Sequence, residues 1–488
     1  MLQIDEIKTF MTNDLASTRK KNAKVGQRYY DAEHDIKDYR IFYIDGTGAM
    51  QEDKMKSNIK ICHPFFTENV DQTVQYVLSG DKGFMKSDNP ELQSILDNYF
   101  NENEDFIAEL YDFLTGVIAK GFEYIYAYKN KDGKTAFKCA DSLNVIEVDA
   151  KDANDGKDHV IYWYTDSISK GAKEVKRIQD WDDTQTYYYV ETDGEIKPDE
   201  AMKINPRPHI IFEDEGEGIE YDSLGYIPFF KMANCKKEKS GLVPIKALID
   251  DYDLMACGLS NNIQDTNEAL YVVKGYAGDN LDELMLNIKA KKHIGVDDEG
   301  GVDIKTIDIP YEARKTKLEL DEKSIYHFGF ALNTSGLRDT NATTNLAVKT
   351  AYSQLDLKAN KLIIRLKQAM RKLLKVVLDE VNEETGMDYQ QKDVYFCFEP
   401  ETPVNEQENA TIKLTEAQRR QTEITTLLNL ATQLDNETLM ELICEQLDID
   451  YNEIKDKLPE PEDNDPYKAM TALDSVEAEE PVAGDVVE

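Results

Sequence analysis

An apolar stripe running unbroken from Leu346 to about Asn382 constrains this sequence more than any other feature. Val348, Tyr352, Leu355, Ala359, Leu362, Leu366, Met370, Leu373, Val377 and Val381 recur at steps of three and four, the spacing that gathers side chains on one face of an α-helix. At about 1.5 Å per residue such a helix is roughly 55 Å long. That exceeds what an ordinary domain needs. Thr344 or Asn345 can cap its start and Gly386 its end. The 488 residues leave room for roughly two to four cores at about 100–200 residues each.

The segments before the stripe fall into blocks. Residues 1 to about 45 read as helix, with Asp14 as a start, and short helices continue to about 115, with breaks at Gly46-Thr47-Gly48 and around Gly80 to Pro90. From Gly121 the period changes. FEYIYAYKN, KDGK and TAFKCA form a hairpin signal around an Asp-Gly turn, and NVIEVDA, HVIYWYT, EVKRIQDW and TQTYYYVET continue as short strands to about 213. After IPFF at 227–230, the segment from Val243 to about Asp265 returns to helical spacing. A small module follows: ALYVVKGY as a strand, DNLDELMLNIKAKK as a helix capped near Asn280, and HIGVDDEGGVDIKTIDI as a hairpin turning at Glu299-Gly300-Gly301.

Tyr311 to Leu332 reads as helix again. It leads into NTSGLRDTNATTN, a polar loop whose composition cannot be core. After the long helix come a strand, DVYFCFEP, and helices from about Glu406 to Leu458. The last thirty residues hold ten acids and one lysine, the composition of a disordered tail. No repeat is visible.

With 95 Asp+Glu against 57 Lys+Arg, the formal net charge is −38. Such a chain does not grip phosphates over its whole surface, so any nucleic-acid contact must be local. The start MLQIDEIKTFMTNDL lacks the basic, apolar and small-residue pattern of secretion, which points to folding in a cytoplasm. No run approaches about 18 apolar residues, so no membrane partner is expected. The six cysteines are scattered without a C-x-x-C pair and read as reduced thiols.

Motifs for chemistry are missing. Gly133-Lys134-Thr135 resembles the end of a phosphate loop, but the earlier glycine would fall at Tyr128, so it reads as a hairpin turn. Lys151 to Gly156 fails as a calcium loop because Lys151 and Ala153 occupy ligand positions. The histidines His34, His63, His159, His209, His293 and His327 are isolated in sequence and read as structural residues. Acid clusters such as Glu213-Asp214-Glu215 and Asp297-Asp298-Glu299 could hold Mg²⁺ for a nuclease, or be solvated turns. Neither metal nor cofactor is expected.

One region reverses the charge. The long helix carries Lys349, Lys358, Lys361, Arg365, Lys367, Arg371, Lys372 and Lys375 against Asp356, before an acidic end at Asp379-Glu380. This band is open to two readings. It is either a solvated face with salt bridges to neighbouring acidic subunits, or a surface approaching nucleic acid together with Arg338 of the polar loop.

Several stretches in order, RYYDAEHDI (28–36), NIKICHPFFTENVDQTVQYVLSG (58–80), GFEYIYAYKNKDGK (121–134), ALIDDYDLMACGLSNNIQDTNEALYVVKGY (247–276), SGLRDTNATTNLAVKTAYSQLDLKANK (335–361), PVNEQENA (403–410) and DNETLMELI (435–443), resemble the portal proteins of tailed bacteriophages. The type is that of siphophages of Gram-positive hosts. The resemblance covers about residues 20–458. It departs at FKMANCKKEKS (230–240), where the family leads one to expect an Asn-Asn pair before the first stem helix.

The resemblance implies an α+β, multi-domain portal fold with wing, stem, clip and crown, long helices and a β-rich wing region. Residues 1–242 would be wing, 243–265 the first stem helix, 266–310 the clip, 311–332 the second stem helix, and 333–345 the tunnel loop. Residues 346–404 would hold the long helix and a wing strand, 405–458 the crown, and 459–488 the acidic tail. The implied function is a ring, a dodecamer in the virion, at one capsid vertex. It conducts double-stranded DNA weakly and without sequence preference, docks the terminase large subunit and later the head-tail connector, or adaptor, and meets major capsid and scaffolding proteins. Translocation energy would come from the partner ATPase, so the chain itself is expected to be no enzyme.

The implied tunnel-loop residues are Arg338, Thr340, Asn341, Thr343, Thr344 and Asn345, with Lys315, Lys317 and Lys323 as stem candidates. Asp279, Asp282, Glu283, Asp297 and Asp298 are candidates for clip docking, and Lys349, Lys358, Lys361 and Arg365 for the basic band. Two rivals differ in kind: a head or connector protein without a channel, and a metal-dependent nuclease.

Overall fold

The computed structural model describes residues 2–54, 56–80, 83–131, 133–149, 156–167, 174–214, 218–265, 270–276, 296–305, 310–333, 345–398 and 406–429, with the single positions 280, 284 and 400. The chain divides into two compact units, Met1–Thr340 with Thr350–Thr402, and Asn341–Lys349 with Pro403–Glu488.

The N-terminal region is two helices rather than one, α1 (Ile4–Ala16) and α2 (Thr18–Tyr30). Ser17 breaks them: its backbone is extended and its side chain accepts from the Lys20 amide, so Ser17 caps α2 where the sequence pointed to Asp14. Asp14 instead pairs with Lys20 Nζ at 3.0 Å. The Gly46-Thr47-Gly48 break is the turn of a hairpin, β1 (Phe42–Ile44) and β2 (Met50–Glu52), exposed along both strands. Helix α3 (Phe65–Val77), strand β3 (Met85–Lys86) and helices α4 (Pro90–Leu96) and α5 (Glu104–Lys120) follow. Asn103 caps α5 through the Phe106 amide, and two acids in the first turn face the positive end of the helix. Gly121 ends α5 at φ 97°, where an added Cβ would lie 2.5 Å from the Glu238 carbonyl oxygen; only glycine fits.

The aromatic stretch after Gly121 forms strands as its pattern predicts. β4 (Phe122–Lys129) and β5 (Thr135–Ala140) make the Asp-Gly hairpin, with Gly133 at φ 77°, and β14 (Phe229–Ala233) returns to β4 from a hundred residues downstream. The strands β6 (Val145–Asp149), β7 (Lys157–Ser167), β8 (Glu174–Trp181), β9 (Gln185–Thr192) and β10 (Glu195–Pro198) form an antiparallel meander in chain order, with β11 (Arg207–Pro208) beside β9. β12 (Ile210–Asp214) and β13 (Gly218–Asp222) form a separate hairpin. Helix α1 covers one face of the meander, with Ile7 and Met11 packed on Ile146, Ile161, Ile178 and Tyr189.

Helix α6 (Lys246–Asp265) begins three residues after the expected Val243. β15 (Leu270–Tyr276) pairs with β16 (Val296–Lys305), which runs through the Glu299-Gly300-Gly301 site where a hairpin turn was expected. The pairing shifts register between Lys274 and Tyr276, opposite these glycines, so they relieve an irregular pairing rather than reverse the chain. Helices α7 (Tyr311–Gly329) and α8 (Asn345–Thr385) follow. Gly386, at φ 70°, ends α8 as read from the sequence. The expected strand at 393–400 reduces to β17 (Tyr395–Phe396) against β3. In the second unit, α9 (Glu406–Asn429) is helical as expected.

The main core joins α3, α5 and α8 through residues such as Phe66, Val74, Phe113, Val117, Leu366, Met370 and Leu373. Glu380 fixes the β4–β5 hairpin to the long helix, accepting from the Thr135 amide at 3.0 Å and pairing with Lys129 at 2.9 Å. The thiols of Cys62, Cys139, Cys235, Cys257 and Cys397 are free.

Candidate functional site

Helices α6 and α7 pack side by side. Lys317 reaches Asp251 at 2.6 Å, while Arg314, earlier on α7, stands beside Gly258, later on α6, so the pair is antiparallel. On a different face of α6, polar side chains recur every four residues: Asp253, Cys257, Asn261 and Asp265. Each receives a backbone amide from the extended segment before α3. His63 N donates to Asp253 Oδ1 (3.0 Å), Ile61 N to Cys257 Sγ (3.2 Å), Ile59 N to Asn261 Oδ1 (2.7 Å) and Ser57 N to Asp265 Oδ1 (3.2 Å). Two residues of extended chain advance about 6.6 Å and four helical residues about 6 Å. The two repeats nearly match, so the segment is laced along the helix.

At one end of the lacing, Asp253 is fully buried between two imidazoles, His34 Nδ1 at 2.6 Å and His63 Nδ1 at 2.7 Å. Burial alone would raise this carboxyl, but the bonds from His34 and His63 hold it below the ordinary aspartate value. Beside it Lys246 bridges Asp35 (2.6 Å) and Asp250 (2.7 Å) over the Tyr29 ring. Burial would lower the Lys246 ammonium, and the two carboxylates outweigh it and raise it. α6 is thus tied by charge to the N-terminal helices, and α7 is tied to α6.

α7 ends at Phe330, which is left-handed at φ 55°. Beyond it, Leu332 exchanges two hydrogen bonds with the Gln72 amide of α3, at 3.0 and 3.1 Å. The Gly329 carbonyl accepts from Asn69 Nδ2 (3.0 Å) and Lys358 Nζ (3.1 Å), and Lys358 also donates to Asn69 Oδ1. A Cβ at Gly329 would lie 2.1 Å from Asn69 Nδ2. Tyr76 meets Asp356, and His327 meets Gln354 at 3.0 Å. Helices α3, α7 and α8 are thereby clasped where the polar loop leaves α7. Among the described residues no carboxylate pairs with the enclosed Lys358 amino group, and burial pushes its pKa down to about 7.

The sequence candidates divide accordingly. Lys315 and Lys323 are exposed on α7, whereas Lys317 is taken up by Asp251 and Asp321, which hold its ammonium above the ordinary value. Lys358 turns inward and leaves the basic band, because its amino group finds acceptors on α3 and α7. Lys349 and Lys361 are exposed, and Arg365 is half-buried with Nη1 on the Ala233 carbonyl at 3.3 Å. Arg338, Thr340, Asn341, Thr343, Thr344, Asp279, Asp282 and Glu283 lie outside the described residues, as do Lys151 to Asp155 and residues 430–488. Asn345 opens α8, and Asp297 and Asp298 sit on β16. Sequence reasoning took the histidines as isolated and so missed the cluster around Asp253. The row of Asp253, Cys257, Asn261 and Asp265 at i, i+4 steps along α6 was the signal that could have found it.

Among the described residues, no helix is long and apolar enough to cross a membrane, and no group of three or more His, Cys, Asp or Glu is placed to hold a metal ion. The phage portal proteins of the SPP1 Gp6-like type match residues 13–456. The chain belongs to that family. This portal-family chain is 29% identical over 338 residues to the portal protein of Bacillus phage SPP1, covering 69% of the chain and 65% of the relative. With the portal protein of Clostridium phage phiCD119 it shares 31% over 172 residues, 33% of the chain and 38% of the relative. It therefore spans under two thirds of either relative's length. A solved structure described as the neck of a native GTA particle computed with C12 symmetry aligns with TM-score 0.38 and 11% identity, covering 78% of this chain and 89% of that one.

Proposed function

We propose that this portal-family chain is a ring-forming, non-enzymatic subunit at a capsid vertex, and that its ring conducts double-stranded DNA during packaging and ejection. The observation that carries the reading is the family match over residues 13–456. In this reading α6 and α7 are the stem, β15 and β16 belong to the clip that meets the terminase and later the connector, and the N-terminal helices with the meander are the wing. The polar loop after α7 is the tunnel loop, α9 belongs to the crown, and assembly takes place in the host cytoplasm with capsid and scaffolding proteins.

The anchoring around α6 and α7 supports a stem role. A stem must hold its shape while DNA slides past, and here α6 is held by the buried Asp253 cluster, and α7 by the Lys317–Asp251 pair and the hydrogen bonds of Gly329 with Asn69 and Lys358. The net charge of −38 supports passage, because an acidic conduit repels phosphates while a few ring-repeated cations give weak local contacts. In the loop, Arg338 is the cation for that contact, with Thr340, Asn341, Thr343 and Thr344 around it.

A phage carrying Arg338→Glu is expected to fill at least about tenfold fewer heads with DNA, since each reversed charge, repeated around a ring, turns an attraction of roughly 1 kcal/mol at 4 Å in water into an equal repulsion. Counting filled heads and measuring protected DNA tests it. Unchanged packaging would remove Arg338 from the constriction, and DNA-filled heads in a phage lacking this chain would overturn the whole reading.

A further inference from the structure

Every half-buried arginine among the described residues meets an acceptor except one. Arg19 pairs with Glu238, Arg28 with Asp35, and Arg177 with Asp166 and Asp199, while Arg365 donates to the Ala233 carbonyl. Arg314, at the end of the first turn of α7, is half-buried and makes no ion pair or hydrogen bond among the described residues. A guanidinium carries five donors and a fixed charge, and withdrawing it from water without an acceptor is costly. In a chain with 95 acids against 57 bases, a missing carboxylate is not a matter of supply. The fold also makes room for this side chain: an added Cβ at Gly258 of α6 would come to 3.1 Å from Arg314 Nη1. Glycine weakens a helix interior relative to alanine, and clearance for the guanidinium is what this one provides.

Arg314 lines a cavity of about 240 Å³ between α6 and the extended chain laced along it. Ile36 and Leu254 give the cavity apolar wall, and Lys56, Asn261 and Asp265 give it polar wall. Asn261 commits its side-chain oxygen to the Ile59 amide at 2.7 Å, which leaves the two hydrogens of Nδ2 as donors. Lys56 is exposed and makes no ion pair among the described residues. Asp265 is the lining carboxylate that opposes an anion, and its Oδ1 is already engaged by the Ser57 amide at 3.2 Å. Two cations against that single acid, and uncommitted donors on Arg314, Lys56 and Asn261, make the cavity complementary to an oxyanion. Its volume is below the roughly 300–1,000 Å³ of sites that enclose drug-sized ligands, so the group it takes is one of a few atoms.

We propose that this cavity is an oxyanion site, in which the Arg314 guanidinium and the Asn261 Nδ2 group hold a single phosphate or carboxylate group and Lys56 adds to the positive field. The bound group ties the start of α7 to the end of α6 and to the laced segment, at the end of α6 opposite the Asp253 cluster. All of its protein donors belong to one protomer, so the site stands or falls separately from the ring reading. A free phosphate ion and an acidic side chain of a second copy offer the same chemistry to it.

Inorganic phosphate is the probe. Added to the wild-type chain diluted to protomers, at constant ionic strength, it is expected to show saturable broadening of its phosphorus NMR line. Arg314→Met should lower the affinity by at least about tenfold, the scale of lost hydrogen bonds from a charged group. Asn261→Asp is a second variant that keeps an oxygen for the Ile59 amide, and so keeps the lacing, while replacing the Nδ2 donor with a carboxylate; it should weaken phosphate by a similar factor. Lys54→Met, which removes an exposed cation outside the cavity, should bind as wild type does. Repeating the titration on assembled rings separates the two sources: binding kept in rings marks a free ion, binding lost on assembly marks an acid from the next copy, and either upholds the site. The absence of saturable binding by protomers, or binding that Arg314→Met and Asn261→Asp leave unchanged, would mean an adventitious ion only and would overturn the site.

Discussion

Asp253→Ala is expected to destabilise the protein by about 3–5 kcal/mol, the cost of removing one member of a buried charge cluster. The carboxylate is fully buried and accepts from His34 Nδ1, His63 Nδ1 and the His63 amide. Deleting it leaves these donors without their acceptor and cuts the lacing of α6 at its first rung. Asp253→Asn keeps one acceptor oxygen and should lose less. The pH dependence has a definite sign. Because the folded carboxyl lies below its ordinary value, its contribution is complete above the aspartate value of 3.8 and is lost as pH falls through the lowered one. Thermal melts of wild type and both variants from pH 7 downward check this. The gap between wild type and Asp253→Asn should narrow only in strong acid.

The second large effect concerns Lys358. Its pKa falls from 10.5 to about 7 in the fold, so between those values the unfolded chain binds a proton that the folded chain does not. Stability contributed through this group therefore rises with pH from about 7 toward about 10, by a few kcal/mol at about 1.4 per unit. Lys358→Met has no such proton, and the difference in melting temperature between wild type and variant should move in favour of wild type across that window. A parallel course of the two curves would show that the amino group keeps its charge in the fold. At neutral pH the variant also leaves Asn69 Oδ1 without its donor, which loosens the root of the polar loop on α3.

Elements whose evidence is local were legible in the sequence. The stripe from Leu346 became α8, Gly133 the left-handed residue between β4 and β5, and the four segments from Asn144 strands of the meander, because in each the pattern is written into neighbouring residues. Boundaries set by one side chain were less legible: Ser17 rather than Asp14 starts a helix because only Ser17 has an extended backbone and a free amide to accept from. Gly300-Gly301 was misread because a turn and a bulge ask for the same residue. Long-range partners were not legible. His34, His63 and Asp253 lie up to 219 residues apart, and Lys358 meets Asn69 across 289, so no spacing rule connects them. For the same reason Lys317 and Lys358 looked like free cations until their partners appeared.

The two buried clusters share a physical theme. Each fixes an end of the paired helices: Asp253 and Lys246 hold the start of α6 to the N-terminal region by charge, and Lys358 with Asn69 holds the end of α7 to α3 and α8 by hydrogen bonds.

The central claim is the ring, and class-averaged electron microscopy of the purified chain of 488 residues, without DNA or other phage proteins, tests it most directly. The account predicts end-on views with about twelve subunits related by cyclic symmetry around an open central channel. Particles that remain monomers or dimers at high protein concentration would contradict it.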